Sequence, residues 1–470
     1  MIAPLATSTK IQNVCPQRVS LLWIEIKAVR PYSSFMNIRR SAKAERARLR
    51  FHDLLLRPDP SRTVVRPFEP GYPPGFDNGT TRTQETVDFI LALDEPELTR
   101  QLEGVTASLD ENHRDVDAFL RRRFDEMADR FDGANRCNDA QRRLIGAYFS
   151  QEYAYEGAAL FNPSAVLHPD QVDVEKGEIR FVLSLRGIGE GHLSSVTFRT
   201  GRWKPGGSPA IDDPGSVSVP PIIDQADTAN ASVRLHCGGS RTISETVLFP
   251  VLPSQRQGIE DLRLVRFDEG DGVFAYHGTY TAFSGSAVRS ELLTTTDFST
   301  FEMRALTGDA AGGKGMALFP RRIDDRFAML GRQDNKNIWL LTSEDILAWN
   351  GGSKLIEPRY PWEFVQMGNC GSPIELDEGW LVLTHGVGTV RNYCMGACLL
   401  DKDDPSKLLA RTPRPVLAPS PKQRDGYVPN VVYSCGALAV GRDLLLPYAV
   451  ADSFTAFATA SIDDLLAVME

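Results

Sequence analysis

The feature that most constrains this chain is a change of hydrophobic period near residue 160. Upstream, Val116, Phe119, Leu120, Phe124, Met127 and Phe131 fall on one stripe at helical spacing, with Arg121, Arg122, Asp125 and Asp129 opposite. Leu144, Ile145, Tyr148, Phe149 and Tyr153 repeat that pattern, with Asn138 or Asp139 placed to cap the helix. Downstream the period drops to two. Short apolar runs such as FVLSL, SVTFRT, VFAYHGTYTA, NIWLLTS and GWLVLTHGV are separated by Gly, Asp, Asn and Pro, which is the signature of hairpins. Four segments then recur: TTTDFSTFE at 294–302, LTSEDILAWN at 341–350, LLDKDDPSKLL at 399–409 and TASIDDLLAV at 459–468. Each follows a strand and sets an acid before an apolar residue, at spacings of roughly 47 to 60 residues. One such unit per four-stranded blade is how a β-propeller repeats, and about 310 residues at that period make five blades. The expected fold is mainly β, a five-bladed β-propeller preceded by an N-terminal α-helical region.

Four segments follow from this reading. Residues 161–470 form the propeller, and residues 83–160 hold three helices, the first near 83–93. Residues 57–82 carry six prolines and three glycines, so they cannot continue a helix and read as an extended arm over the fold. Residues 1–56 read as a disordered start followed by a basic helix, with Met36 as well as Met1 a candidate first residue. The apolar run at 19–26 ends in Glu25, Lys27 and Arg30 and lacks the uncharged core of a signal peptide, so a cytoplasmic protein is expected. Asn78 heads a glycosylation sequon that matters only after secretion.

Composition narrows the function. Among 470 residues, 52 Lys and Arg face 61 Asp and Glu, a net charge of −9, with no basic run long enough for nucleic acid or an anionic membrane surface. Arg121, Arg122 and Arg123 read as a solvated helix face. No stretch of eighteen uncharged apolar residues spans a bilayer. Seven scattered cysteines do not form a disulfide framework. Cys394 and Cys398 share one face of an apolar strand without converging on an ion, and seven histidines show no H-x-H or H-E-x-x-H pair, so no metal is expected. The glycines at 187–191 precede a strand instead of a helix, which excludes a dinucleotide fingerprint.

The polar residues at strand ends are the candidates for chemistry. GIEDLR (258–263) sets two carboxylates and a guanidinium before an apolar strand, and FNPSAV (161–166) offers an amide and a hydroxyl at a tight turn. Lys314, Arg332, Glu375, His385, Tyr448 and Asp452 occupy similar places. Each alone reads as a satisfied turn or surface ion pair. Together they supply carboxylates, cations and rings, an inventory that suits a sugar site with an anion subsite.

GIEDLR, KGMALFPRRI, the W-E of PWEF, the G-S-P-I stretch, GWLVLTHGV, GYVPNVVYSCG and YAVAD follow in this order across 258–452. In this the chain resembles glycoside hydrolase family 130, five-bladed propellers that comprise inverting β-mannoside phosphorylases and some β-mannosidases, over roughly residues 160–470. The resemblance implies that Asp261 is the catalytic acid, passing its proton to the leaving oxygen through a mannose hydroxyl. Leu262 stands where the family motif has proline. It also implies that Asn162, Ser164, Arg186 and Asp452 hold the mannose ring, with Arg263 in the same motif, and that Lys314, Arg332 and His385 bind phosphate. Thr384 replaces the tyrosine of the family's Y-H-G motif.

Inverting cleavage needs an acid on one face and a nucleophile on the other. Phosphate is already ionised and needs only a cationic cradle. Water needs a carboxylate to take its proton. Glu375 stands where many family phosphorylases carry lysine, and it is the base candidate for hydrolysis, while Lys314, Arg332 and Arg391 favour phosphorolysis. The expected activity is phosphorolysis of a β-mannosyl disaccharide or oligosaccharide to α-mannose 1-phosphate, with inorganic phosphate as co-substrate and no cofactor. An inverting β-mannosidase and a non-catalytic glycan-binding propeller are the alternatives. A homo-oligomer assembled through the helical region is a further expectation.

Overall fold

The computed structural model describes residues 47–73, 80–227, 231–421 and 426–470. The expectations for residues 1–46, including Met36, and for Asn78 lie outside the described residues. The described chain is mainly β, with four helices near its start.

The first sheet runs through strands Ala159–Leu167, Ile179–Ile188 and Ser194–Trp203. The second contains Gly258–Gly270, Val273–Phe283, Val288–Thr295 and Thr300–Ala305, and is widened by Ser232–His236 and Ile222–Asp227. These two antiparallel ladders meet at one parallel pair, Gly258 with Ser194. The third is built on Phe327–Gly331 and Ile338–Ser343, the fourth on Trp380–Val387 and Tyr393–Leu400, and the fifth on Asp443–Val450 and Phe454–Ser461.

Apolar packing follows the same order. Phe198 and Val182 of the first sheet pack with Ile259 and Leu264 of the second, and Phe267 of the second with Met329 and Leu341 of the third. Leu330 of the third meets Trp380 and Val382 of the fourth, and Leu383 and Met395 of the fourth meet Leu446 and Ala458 of the fifth. A last cluster joins Leu445 and Phe457 of the fifth sheet to Phe181, Leu183 and Leu185 of the first. Every strand with buried side chains on both faces therefore has an apolar layer on each side, which is why these runs read as near-continuous hydrophobic stretches.

The recurrent acidic segments are turns between strands. Thr295 Oγ1 accepts from the Asp297 amide at 3.3 Å and Asp297 Oδ1 from the Ser299 and Thr300 amides, both at 2.8 Å. Ser343 and Asp345 repeat that arrangement, and Asp401 accepts from the amides of Asp403 and Asp404. Such Asx turns let a short carboxylate replace a backbone acceptor where the strand reverses. The last copy instead caps a short helix, Ile462–Ala467, through Ser461.

Two expectations for the N-terminal part need correction. Residues Leu49–Leu56 form a strand, not the end of a basic helix, and pair antiparallel with Phe454–Ser461. Leu54 and Leu56 reach the apolar layer between first and fifth sheets while Phe51 and Leu55 stay exposed, the alternation of an outer strand. The helical region has four helices instead of three: α1 (Arg82–Leu91), α2 (Glu95–Asp110), α3 (Val116–Met127) and α4 (Asp139–Tyr148). Asn138 caps α4, with Gln141 completing a capping box. Gly146 lies where α4 crosses α3, and a Cβ there would collide with the Leu120 carbonyl. Tyr148 is exposed. Tyr153 belongs to strand Ser150–Ala154, which pairs with Thr63–Pro67 of the arm.

Buried charge ties this region to the sheets. Arg62 of the arm lies 3.2 Å from Glu156, which also takes Arg199, and donates to the Tyr155 hydroxyl and the carbonyls of Gly215 and Ser244. Removing one partner from such a network leaves an uncompensated buried charge, at a cost of about 3–5 kcal/mol. Among the described residues, no helix is long and apolar enough to cross a membrane.

Candidate active site

Backbone irregularities aim the site's side chains. The pairing register slips between Phe161 and Ser164 in the first sheet and between Glu260 and Arg263 in the second. Within these two bulges Asn162 and Asp261 adopt left-handed backbone, with φ of 51° and 56°. Asp452, in the turn that ends strand Asp443–Val450, does the same at 49°. Left-handed backbone is costly for residues with a Cβ, and several polar side chains held this way around one cavity mark a site whose surroundings enforce it.

That cavity has a volume of about 240 Å³. Of the residues singled out in the sequence, Asn162, Arg186, Asp261, Arg263, Lys314, Arg332, His385 and Asp452 line it. Asn162 Nδ2 donates to Asp261 Oδ1 at 2.6 Å, and Arg186 reaches the same oxygen at 3.3 Å and Glu260 at 2.7 Å. Burial works against a charge on Asp261, but Arg186, Arg263, the Asn162 amide and Lys314 overcome it and hold the carboxyl below its usual range. Asp452 behaves oppositely. Burial and repulsion from Asp261 outweigh Arg186 and Arg391, and its pKa rises to about 6.

The other wall is cationic. Arg332 donates to His385 Nε2 at 3.3 Å. Burial, reinforced by Arg332 and Arg263, pushes the His385 imidazole well below its usual pKa, so the ring is neutral and accepts that bond. Gly368 leaves room for both, because a Cβ there would strike the His385 ring and the Arg332 side chain. Lys314 lies 3.9 Å from Glu260. Asn162 Oδ1, Arg332 Nε and both amide atoms of Asn369 are buried without a protein partner. Native proteins seldom leave such atoms unpaired, so their convergence on one cavity is what a polar ligand would complete.

Two expected residues are elsewhere. Ser164 is fully buried behind the cavity wall, where its Oγ accepts from the Leu264 amide at 3.1 Å and joins the first sheet to the second. Glu375 does not line the cavity. It pairs with Arg321 through contacts of 2.8 and 2.9 Å and lies 3.9 Å from Lys402. Ile374 packs against the core, so strand alternation turns Glu375 away from it. Tyr448 is buried among apolar neighbours between the fourth and fifth sheets. Sequence reasoning passed over Gln366, Asn369, Tyr393 and Tyr433, which also line the cavity. Tyr433 was within reach, since it stands in the quoted GYVPNVVYSCG, and its hydroxyl accepts from Arg263 at 2.7 Å. Leu262, in place of the motif's proline, is absorbed by the core between the first two sheets.

Carboxylates on one wall and guanidinium, amine and neutral imidazole on the other are groups that could hold a sugar and an anion. Residues 237–470 match the family model of glycoside hydrolase family 130, described as beta-1,4-mannooligosaccharide phosphorylase. A beta-1,2-mannobiose phosphorylase of Listeria innocua is 34% identical over 232 residues, 47% of this chain and 63% of that protein. A 1,2-beta-oligomannan phosphorylase of Thermoanaerobacter sp. strain X514 is 31% identical over 225 residues, 46% of this chain and 74% of that protein. A solved structure from work on family 130 glycoside hydrolases that target β-1,2 mannosidic linkages in Candida mannan is alike in fold, with a TM-score of 0.50 at 19% identity, covering 67% of this chain and 87% of that one. The chain belongs to glycoside hydrolase family 130. The family model begins at Cys237, after the first sheet, which supplies Asn162 and Arg186.

Proposed function

We propose that this protein is an inverting β-mannoside phosphorylase that cleaves a β-mannosyl disaccharide or oligosaccharide with inorganic phosphate, releasing α-mannose 1-phosphate. The observation that carries this reading is the fate of Glu375. The carboxylate that would activate water is committed to Arg321 outside the cavity, while Lys314 and Arg332 remain on its lining. The named activities of the relatives support the same choice. We read the five sheets as the blades of a propeller. Each apolar layer lies between consecutive sheets and the last joins the fifth to the first, and the strand Leu49–Leu56 completes the fifth sheet from the other end of the chain.

In this mechanism the mannose ring sits over Asn162, Arg186 and Asp452. Phosphate rests against Arg332, Lys314 and neutral His385, and its oxygen attacks the anomeric carbon from the face opposite the glycosidic bond. The C1–O bond breaks as the leaving oxygen takes a proton that originates on Asp261 and passes through a mannose hydroxyl. Asp261 carries charge before substrate arrives. A sugar hydroxyl that draws off the Asn162 amide, and phosphate that engages Lys314, weaken two of the contacts that favour its charge, and Asp261 takes up a proton from solvent before passing it on. Incubating β-1,2- and β-1,4-mannobiose with and without phosphate tests this. Mannose 1-phosphate that forms only with phosphate supports phosphorolysis, and free mannose released at equal rate without it refutes it.

A further inference from the structure

Three turns at one end of the sheets carry left-handed residues: His192 in the first sheet, Val390 and Arg391 in the fourth, and Ala451 and Asp452 in the fifth. Arg391 and Asp452 line the cavity, but His192 has no part in the mechanism above. Its exposed ring lies 5.2 Å from that of Tyr427, with a tilt of 41°. Tyr427 is 70% exposed. Two adjoining aromatic rings open to water beside a cavity offer flat faces to a ligand.

Both rings are anchored to the site. Tyr427 precedes the cavity-lining Val428, whose amide donates to the Ala451 carbonyl at 3.0 Å, beside Asp452. Gly426 packs so closely on Ala451 that a Cβ would collide with it. His192 is two residues from Ser194, whose hydroxyl accepts from Arg186 Nε at 2.9 Å. The loop carrying it is held by Tyr153, which donates to the Glu190 carbonyl at 2.9 Å. The pair thus joins the turn after Ile179–Ile188 to the segment 426–428 that packs on the turn before Phe454–Ser461, beside the cavity-lining Arg186, Val428 and Asp452.

We propose that His192 and Tyr427 form an aromatic platform for the sugar on the leaving-group side of the scissile bond. This rests on the phosphorylase reading, since inversion places the leaving sugar opposite phosphate. The flat apolar face of each ring matches the C–H face of a pyranose, and the tilt between them cups one sugar. Tyr153, from the strand that follows the helices, holds the loop that carries His192.

The test is the steady-state kinetics of Tyr427→Ala, Tyr427→Phe and His192→Ala on β-mannobiose. Tyr427→Ala should raise the mannobiose KM roughly ten-fold, with kcat and the phosphate KM within two-fold, the pattern of a binding contact made equally in ground and transition states. Tyr427→Phe should behave as wild type. An unchanged mannobiose KM in Tyr427→Ala, or an equal rise in the phosphate KM, overturns the platform. If the wild type turns over no β-mannoside, the functional reading fails by itself. Calorimetry then decides the platform: weaker mannobiose binding in Tyr427→Ala with unchanged mannose binding upholds it, and equal or absent mannobiose binding overturns it.

Discussion

The two walls of the cavity are built from similar side chains to opposite ends. On the carboxylate wall the guanidinium of Arg186 holds Glu260 and Asp261, and Arg263 donates to Tyr433 and the Asp261 carbonyl. On the cationic wall Arg332 donates to a neutral imidazole and to no carboxylate. A charge without a countercharge in a confined cavity is costly unless a ligand completes it. In the proposed mechanism one wall orients the sugar and holds the acid, and the other receives the anion.

Several measurements can break this contrast. Asp261→Asn keeps the shape of the carboxylate wall and removes its proton. We expect activity on mannobiose to fall by about 10³-fold or more, within the range general acids contribute, while the melting temperature stays within a few degrees. Substantial turnover would move the acid elsewhere. Arg332→Ala removes a charge-assisted contact of about 2–3 kcal/mol, so kcat/KM for phosphate should drop roughly 30- to 150-fold with the mannobiose KM little changed. An equal loss for both substrates would mean that the two walls are not separate.

Asp452 sharpens the comparison through pH. Its folded pKa is raised to about 6 from an ordinary 3.8, so the folded state binds the proton more tightly than the unfolded chain does. The corresponding stability is complete below about pH 4 and is lost as pH rises through 6. Two pKa units correspond to about 3 kcal/mol, an upper value because the group is partly solvated. Asp452→Asn should therefore raise the melting temperature at pH 7.5, with the gain vanishing near pH 4. Asp261 titrates in the opposite sense, its charge stabilising the fold above about pH 4 and less so as acid protonates it. The smallest effect belongs to Glu375→Gln. As half of a partly exposed ion pair it should cost at most about 1 kcal/mol of stability and change activity less than three-fold. A large loss of activity would reopen hydrolysis.

Most of the cavity was legible because its residues stand at strand ends, where short motifs such as GIEDLR and THGV survive as contiguous text. Glu375 was misplaced for a local reason: alternation with Ile374, a core residue, already pointed it outward. Ser164 was misread because a hydroxyl between Pro163 and Ala165 looks the same whether it faces a ligand or caps a neighbouring strand's amide. The strand Leu49–Leu56 was not legible locally at all, since the partner that makes it a strand lies some 400 residues away in sequence. The His192–Tyr427 pair was hidden likewise, each ring supplied by a different loop far apart in sequence.

The most direct test of the two-walled site is the anomeric configuration of the first-formed product, followed by NMR during turnover of mannobiose in phosphate buffer. Phosphate held opposite Asp261 must give α-mannose 1-phosphate from the earliest time point. Initial β-mannose 1-phosphate, or free mannose formed without consuming phosphate, would contradict the placement of acid and nucleophile on opposing walls.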